Sequence, residues 1–334
     1  MADDDPLEGE HHFLRRLIGR LQARDATPAP SGAARLLLGA GDDAAVFQPG
    51  THPLALTTDD LVEGIHFRTD WLDATELGRR AVEVNLSDLA AMAAQPRFLL
   101  CAITAPSSTS SEWLDALLDG CADAGEAAGA ALIGGNLSRA SEITITITAL
   151  GDIPGRRLDR SGAQAGDDLV VTGTLGDAAA AVAILSDGGR PESEQRNRWA
   201  RPQARVRAGL ALAEAGAHAA IDLSDGLVAD LSHVCEASGV GAEIEHAKLP
   251  RSAAVSHFDA NGANYAATGG EDYELLAACP PATTANLSAL AAQAEVPLTV
   301  IGRCTERAGE IMLLDSARQA LPLTRGFDHF TPEG

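Results

Sequence analysis

Residues 143–150 read ITITITAL, a strict alternation of apolar and hydroxyl-bearing side chains. Successive side chains of a β-strand point to opposite faces, so this segment predicts a strand with one buried face and one polar face. The segments around it alternate irregularly between strand-like and helix-like patterns. That irregularity favours an α+β fold with mixed sheets over a doubly wound parallel sheet.

Chain length and turn content predict two domains. At 334 residues the chain is too long for one ordinary core and suits two domains of roughly 150 residues each. The segment GDIPGRRLDRSGAQAGD, residues 151–167, is rich in turn-forming residues and marks a boundary. We therefore expect an N-terminal α/β domain over 1–150 and a C-terminal α+β domain over 151–334.

The segment 73–94 has the pattern of a long helix. Asp73 and Glu76 form a capping-box pattern at its start, and Gln95-Pro96 stops it. Other helices are predicted over 12–23, 111–130 and 284–294, and strands over 98–104, 131–133 and 298–301.

Asp88 is the most informative acid of that long helix. Steps of 100° per residue place it on the apolar stripe, whereas Arg80 and Ser87 fall on the polar side. A carboxylate in an apolar stripe is costly unless it is paired or bound to a metal. The alternative is that the stripe is already exposed where the helix ends.

Charge and composition exclude several classes of protein. The formal net charge of −22 argues against a nucleic-acid or anionic-membrane partner, since such binding needs clustered lysine and arginine. The five cysteines form no C-x-x-C pair, which predicts buried free thiols in a reducing compartment. The acidic N-terminus lacks the pattern of a signal peptide, and no apolar run is long enough to span a membrane. We expect a cytoplasmic protein.

Oxygen ligands are concentrated in four segments: GDDAAVF, LALTTDDLVEGIHF, NLSDLAAM and IDLSDGL. Carboxylates and hydroxyls suit magnesium, which is held by a few such groups together with water and substrate phosphates. The chain lacks a P-loop and the protein-kinase signatures, so metal ions and backbone amides must carry the charge of any bound phosphate. The predicted ligands are Asp43, Thr57, Thr58, Asp59, Asp88, Asp222 and Asp225.

These segments, with LIGGN, DRSGAQAGD, VTGTLGD, GGEDYEL and GFDHF, resemble the thiamine-monophosphate kinase family. That family belongs to the superfamily of aminoimidazole ribonucleotide synthetase and selenophosphate synthetase. The resemblance runs from about residue 39 to residue 330. It implies ATP- and Mg²⁺-dependent phosphorylation of thiamine monophosphate. It also implies a homodimer paired through its N-terminal sheets, with the active-site cleft completed by the C-terminal domain.

The resemblance also assigns roles to individual residues. The predicted metal ligands above fall on the family's magnesium-binding positions, and Asp43, Asp59, Asp88, Asp222 and Asp225 would act in catalysis through the metal. No general base is expected, because the acceptor phosphate has a second pKa near 6 and is already ionised at neutral pH. The resemblance implies ATP contacts from Gly135, Asn136, Arg160 and Ser224, and thiamine-phosphate contacts from His66, Glu271 and Phe327.

Three positions depart from the family pattern. Asn136 stands where the family has Asp, so it would bind one magnesium less tightly. Phe327 replaces a more usual Tyr, and Ala93 stands where Gly is usual. Two alternatives to an active kinase stay open at this point. One is a superfamily member that acts on another phosphorylated small molecule, and the other is a catalytically weak sensor of nucleotide.

Overall fold

The computed structural model describes residues 9–24, 30–260 and 264–322. It divides into two compact units. The N-terminal unit comprises Met1–Leu89 and Ala94–Pro154, and the C-terminal unit comprises Ala90–Ala93 and Gly155–Gly334. Each unit is built around a sheet with helices packed on it, as the α+β prediction requires.

The N-terminal unit contains a four-stranded sheet in the order β3-β6-β4-β5 and a separate two-stranded hairpin, β1-β2. Strand β6 pairs antiparallel with both β3 and β4, whereas β4 and β5 are parallel. The elements are α1 (Gly9–Arg24), β1 (Arg35–Leu38), β2 (Val46–Gln48), β3 (Leu54–Val62), α2 (Ala74–Ala91), β4 (Gln95–Ala105), α3 (Ser111–Ala128), β5 (Ala131–Arg139) and β6 (Thr144–Asp152).

The alternating segment forms β6, and its two faces differ as predicted. Ile145 and Ile147 are fully buried on one face, while the intervening threonines are half-buried on the other. The hairpin packs on the second face, where Phe47 lies 5.4 Å from Phe98, ring centre to ring centre. One face of the sheet is therefore helix-covered, and the hairpin covers part of the opposite face.

Helix α2 begins with the predicted capping box. The Glu76 amide donates to the Asp73 side chain at 2.8 Å, and the Asp73 amide donates back to Glu76 at 3.5 Å. The prediction that Arg80 and Ser87 form a polar, exposed side is wrong, because both are fully buried. Glycines bring α2 and α3 so close that a Cβ on Gly78 would lie 2.0 Å from a backbone oxygen of α3, which explains why α2 is enclosed well beyond one stripe.

Several other boundaries differ from the sequence prediction. Strand β4 begins at Gln95 and includes Pro96, and β5 continues through the Gly-Gly pair to Arg139. The predicted helix 284–294 begins three residues later, at Leu287, with Asn286 before its first residue, and Thr284 instead ends a separate short helix. The hairpin β1-β2 has no strong alternating pattern and was not predicted.

The C-terminal unit has a six-stranded sheet in the order β12-β9-β11-β7-β10-β8, antiparallel except for the β9-β12 pair. Its strands are β7 (Asp168–Thr172), β8 (Ala219–Asp222), β9 (Gly241–Glu245), β10 (Leu275–Cys279), β11 (Leu298–Thr305) and β12 (Ile311–Leu314). Its helices are α4 (Asp177–Ser186), α5 (Ser193–Ala200), α6 (Val206–Glu214), α7 (Leu227–Ser238), α8 (Ala253–Ala260), α9 (Tyr265–Thr268), α10 (Pro281–Thr284) and α11 (Leu287–Ala294).

Both faces of this sheet are buried. Alternate residues of β10 enter two different apolar clusters: Leu276 joins residues of α4 and α7, and Leu275 joins residues of α6 and α11. Every residue of β10 is consequently buried, and the strand has no polar face.

All five cysteines are buried and unpaired, as predicted. Within the described ranges, no helix combines the length and apolar character needed to cross a bilayer.

Candidate functional site

One cluster of predicted ligands forms where side chains of α2 contact the middle of β3. The Thr57 hydroxyl donates to the Asp88 carboxylate at 2.5 Å, so that acid of the apolar stripe is paired. The buried Asn85 side chain accepts a hydrogen bond from the Asp59 amide at 2.8 Å and anchors itself to the Ala81 carbonyl. Helix α2 therefore fixes both the Asp88 side chain and the backbone that carries Asp59.

The strand alternation separates two other predicted ligands from this cluster. Thr58 points to the opposite face of β3, where its hydroxyl lies 3.1 Å from that of Thr148. The pairings of β5, β4 and β6 place Asn136 on that same opposite face, where its amide donates to Ser138 at 2.9 Å. Thr57, Asp59 and Asp88 therefore lie on one side of the sheet of this unit. Thr58 and Asn136 lie on the other side, so Asn136 is not beside Asp59 within the unit.

The Gly-Asp loop, residues 41–43, is shaped by local contacts and by α1. The Asp42 carboxylate accepts a hydrogen bond from the Asp43 amide at 2.8 Å, and Asp43 itself is exposed. Gln22 of α1 donates to the Ala40 carbonyl at 2.9 Å, directly before the loop. The loop leaves the Asp43 carboxylate accessible to a ligand.

Two further predicted residues have structural roles that the sequence did not indicate. A Cβ on Gly135 would lie 1.8 Å from the Cys101 carbonyl oxygen, so glycine is required by the close pairing of β4 and β5. The His66 ring accepts a hydrogen bond from the Val62 amide at 3.0 Å, which closes the turn after β3. Any contact of either residue with substrate would come in addition to these roles.

In the C-terminal unit, carboxylates gather where β8 leads into α7. Asp230 is buried and accepts hydrogen bonds from the amides of Asp225 and Gly226, both at 3.1 Å. Burial is the main cause that raises the pKa of Asp230 to about 7, and the negative charges of Asp222 and Asp225 contribute to the same rise. A cation bound among these carboxylates would relieve the repulsion between them.

The backbone of this loop is paired with the segment that carries Glu271. The Glu271 amide donates to the Ser224 carbonyl at 2.7 Å, and the Tyr273 amide donates to the Leu223 carbonyl at 2.8 Å. Both Glu271 and Tyr273 have left-handed backbone conformations, with φ of 69° and 49°. Non-glycine residues adopt this conformation only where their surroundings enforce it, so the Glu271 segment is held in one shape.

Side chains of the 271–274 segment are held by two residues far away in sequence, one in α5 and one directly before α6. The indole N–H of Trp199, in α5, donates to the Glu271 carboxylate at 2.8 Å. Arg205 binds the buried Glu274 carboxylate through two hydrogen bonds, of 2.7 and 2.6 Å. Trp199 and Glu274 were not predicted, since partners separated by 72 or 69 residues leave no local pattern. Asp230 was not predicted either, although its partners Asp225 and Gly226 are near it in sequence.

The remaining predictions are not brought into either cluster. Arg160 is exposed, and among the described residues the Ser238 hydroxyl donates to its carbonyl at 3.2 Å. Phe327 lies outside the described residues. Within the described part of the chain, no group of three or more His, Cys, Asp or Glu side chains is already arranged to hold a metal.

Both units match known domains. The N-terminal domain model of AIR synthase related proteins matches residues 41–153, and the corresponding C-terminal domain model matches residues 164–315. Together these matches account for most of the chain. The two mixed-sheet units are therefore domains of the AIR synthase type, as the sequence resemblance implied.

Individual relatives narrow the family further. Over 334 residues the chain is 41% identical to the thiamine-monophosphate kinase of Escherichia coli K12, covering 96% of this chain and 98% of that protein. The crystal structure of the Stenotrophomonas maltophilia K279a thiamine-monophosphate kinase superposes with a TM-score of 0.80 at 38% identity, over 88% of this chain and 95% of that one. AaThiL complexed with AMPPCP and TMP has a TM-score of 0.72 at 28% identity, over 96% and 97% of the two chains. The chain belongs to the AIR synthase related family and, within it, to the thiamine-monophosphate kinases.

Proposed function

We propose that this protein transfers the γ-phosphoryl group of ATP to thiamine monophosphate, producing thiamine diphosphate and ADP. The observation that carries the proposal is the 41% identity to a thiamine-monophosphate kinase over nearly the whole of both chains. A related structure that holds AMPPCP and TMP supports the same pair of substrates. The oxygen-rich, phosphate-compatible clusters of both units agree with this chemistry.

The residues present fit Mg²⁺. The donor atoms are carboxylate, amide and hydroxyl oxygens, and burial together with the charges of Asp222 and Asp225 disfavours ionisation of Asp230. Bound Mg²⁺ would neutralise charge on the phosphates of donor and acceptor. We propose as ligands Asp43, Thr57, Thr58, Asp59, Asp88, Asn136, Asp222 and Asp225, with Thr58 and Asn136 on a separate face from Thr57 and Asp59.

The chain's own residues would then act by binding and orientation. The acceptor phosphate is ionised at neutral pH, so direct in-line attack requires no side-chain base. Asn85 would keep the Asp59 backbone fixed while substrates bind. For the nucleotide we propose contacts from Gly135, Asn136, Arg160 and Ser224, and for the acceptor contacts from His66, Glu271 and Phe327.

We also propose a cytoplasmic homodimer paired through the N-terminal sheet. On the sheet face opposite α2, Leu56 is 70% exposed and Leu100 is 42% exposed, an apolar surface that pairing would bury. Leu56→Asp should shift the protein towards monomer in light scattering. Ile65→Asp places the same change at an exposed apolar side chain in the turn after β3 and serves as the control. A monomeric parent protein would contradict the dimer.

The test of function is formation of thiamine diphosphate from thiamine monophosphate and ATP across a magnesium titration. The parent protein should turn over, and Asn136→Asp should lower the magnesium concentration for half-maximal rate by restoring one carboxylate. Asn286→Asp adds the same charge at an exposed position and should leave that concentration unchanged.

Other outcomes would select the alternatives. ATP binding without thiamine diphosphate at any magnesium concentration would contradict the kinase and favour a nucleotide sensor. Turnover of another phosphorylated acceptor, with no inhibition by thiamine monophosphate, would favour a different member of the superfamily.

A further inference from the structure

The segment 160–163, which begins with the proposed nucleotide contact Arg160, is organised around one side chain of α7. The hydroxyl of Ser238, the last residue of that helix, accepts hydrogen bonds from the amides of Gly162 and Ala163, both at 3.1 Å. The same hydroxyl donates to the Arg160 carbonyl at 3.2 Å. A hydroxyl has one donor and two acceptor lone pairs. The full hydrogen-bonding capacity of Ser238 is therefore used to fold this segment around one point.

The backbone of this segment is in close contact with the rest of the C-terminal unit. Gly162 has a φ of 116°, which favours glycine, and a Cβ there would lie 2.8 Å from the His218 carbonyl oxygen. Ala163 is buried in the apolar cluster that also contains Leu231 and Val234 of α7. The Arg160 side chain, in contrast, is exposed. The segment thus presents an exposed guanidinium from a tightly held backbone.

Both flanks of the segment are attached independently of Ser238. On the N-terminal side, the Ala220 amide of β8 donates to the Asp159 carbonyl at 3.0 Å. On the C-terminal side, the Asp167 carboxylate lies 2.8 Å from the ring nitrogen Nδ1 of His218. Loss of the Ser238 hydroxyl should therefore loosen the middle of the segment without releasing its ends.

We propose that Ser238 is a positioning residue that holds the Arg160 backbone so that the guanidinium is directed at the phosphates of the nucleotide. This inference rests on the proposed function, in which Arg160 contacts ATP. The planar guanidinium suits phosphate oxygens, and a fixed backbone lowers the entropy lost when it binds them. Ser238 should therefore affect affinity for the nucleotide and leave affinity for thiamine monophosphate unchanged.

The central variant is Ser238→Ala, which removes the hydroxyl at the end of α7. We expect KM for ATP to rise about fivefold, the scale of one neutral hydrogen bond, with KM for thiamine monophosphate unchanged. Ser238→Thr retains a hydroxyl and should restore most of the affinity for ATP. Ser232→Ala is the matched control, because Ser232 is an exposed residue of the same helix whose hydroxyl donates to the Ala229 carbonyl. The control should change neither constant.

A double-mutant cycle tests whether Ser238 acts through Arg160. Arg160→Met removes the guanidinium and retains an extended side chain. In the Arg160→Met background, Ser238→Ala should add little to the increase in KM for ATP. Additive effects, or equal increases in the KM values of both substrates, would overturn the proposal.

Direct binding distinguishes an error in the role of Ser238 from an error in the proposed function. Calorimetric titration with the nucleotide AMPPCP requires no turnover, and Ser238→Ala should weaken its binding about fivefold. If the parent protein binds AMPPCP and forms no thiamine diphosphate, the proposed function fails, while weaker binding in Ser238→Ala still supports the positioning role. If the parent turns over and Ser238→Ala binds nucleotide equally well, the positioning role fails and the kinase stands. A parent protein that binds no AMPPCP would contradict both.

Amide hydrogen exchange covers the case in which Ser238→Ala does not fold. In the parent protein, saturating AMPPCP should slow exchange of the Gly162 and Ala163 amides, since binding at Arg160 would favour the hydrogen-bonded segment. Thiamine monophosphate alone should leave both exchange rates unchanged. Rates that do not respond to AMPPCP would refute the coupling between Ser238 and the nucleotide.

Discussion

Removal of Arg205 should destabilise the C-terminal unit far more than removal of its neighbour Arg207. The Arg205–Glu274 pair is buried, with 13% and 2% of the two side chains exposed, and it is made by two hydrogen bonds. Arg207 pairs with Glu295 at the surface, where 68% and 59% of the side chains are exposed. Arg→Met at both positions removes the same charge while retaining an extended side chain.

The expected loss of unfolding free energy in Arg205→Met depends on the partners that Glu274 keeps. Removing one partner of a buried ion pair costs about 3–5 kcal/mol, because the other charge stays buried. Glu274 would keep the Thr172 hydroxyl at 2.5 Å and Arg198 at 3.5 Å, which places Arg205→Met at about 3 kcal/mol, near the low end. Loss of the surface pair should cost less than about 0.5 kcal/mol.

Urea unfolding followed by circular dichroism measures both values. A second substitution, Glu274→Gln, should recover part of the loss in the Arg205→Met background, because it removes the uncompensated charge. Equal destabilisation by Arg205→Met and Arg207→Met would refute the reasoning. So would a double variant less stable than Arg205→Met alone.

Three further predictions concern helix docking, pH and an orphaned donor. Helix α1 is joined to α3 by ion pairs that Arg20 and Arg24 form with acidic residues. Salt at about 1 M, where the Debye length is near 3 Å, should weaken these pairs and speed amide hydrogen exchange in α1. Unchanged exchange would show that apolar contacts hold α1 instead. Burial raises the pKa of Asp177 above 3.8. The native state therefore binds the proton of this carboxyl more tightly than the unfolded chain does. The free energy of unfolding consequently falls as pH rises through the raised pKa. The stability advantage of Asp177→Asn, measured by urea unfolding, should therefore grow from pH ~4 upward, and a difference independent of pH would contradict the shift. Gln195 is buried, and its amide nitrogen has no hydrogen-bond partner among the described residues. Gln195→Leu should therefore leave the melting temperature unchanged or raise it. A clear decrease would show that the amide has a partner after all.

The sequence predicted best where the physics is local. The capping box of Asp73 and Glu76 depends on residues three apart, and the alternation in β6 depends on residues two apart. Both formed as expected. Helical periodicity failed for Arg80, because a polar side chain can be fully buried when a second helix approaches through glycines.

In the candidate site, too, local features could be predicted from the sequence and long-range contacts could not. The acidic segments could be recognised individually, and Asp88 in the apolar stripe is paired with Thr57, as its cost in that position required; its role as a metal ligand stays a prediction. The separation of Asn136 from Asp59 could not be predicted, since it depends on the order and register of strands in the folded sheet. The hydrogen bond from the Trp199 indole to Glu271, one of the contacts of these residues, joins positions 72 apart, and neither local sequence indicates it.

The sheet order of the N-terminal unit also determines when this part of the protein can assemble during synthesis. Strand β3, which carries Thr57 and Asp59, has β6 as its neighbour in the four-stranded sheet, and Leu54 pairs with Asp152. During synthesis, β4, α3 and β5 must therefore leave the ribosome, followed by β6 itself, before β3 acquires that partner. Pairing over such a distance in sequence is slow compared with helix formation. The strand that carries the proposed metal ligands should be among the last parts of this unit to order on the ribosome, after α2 is already available to receive it.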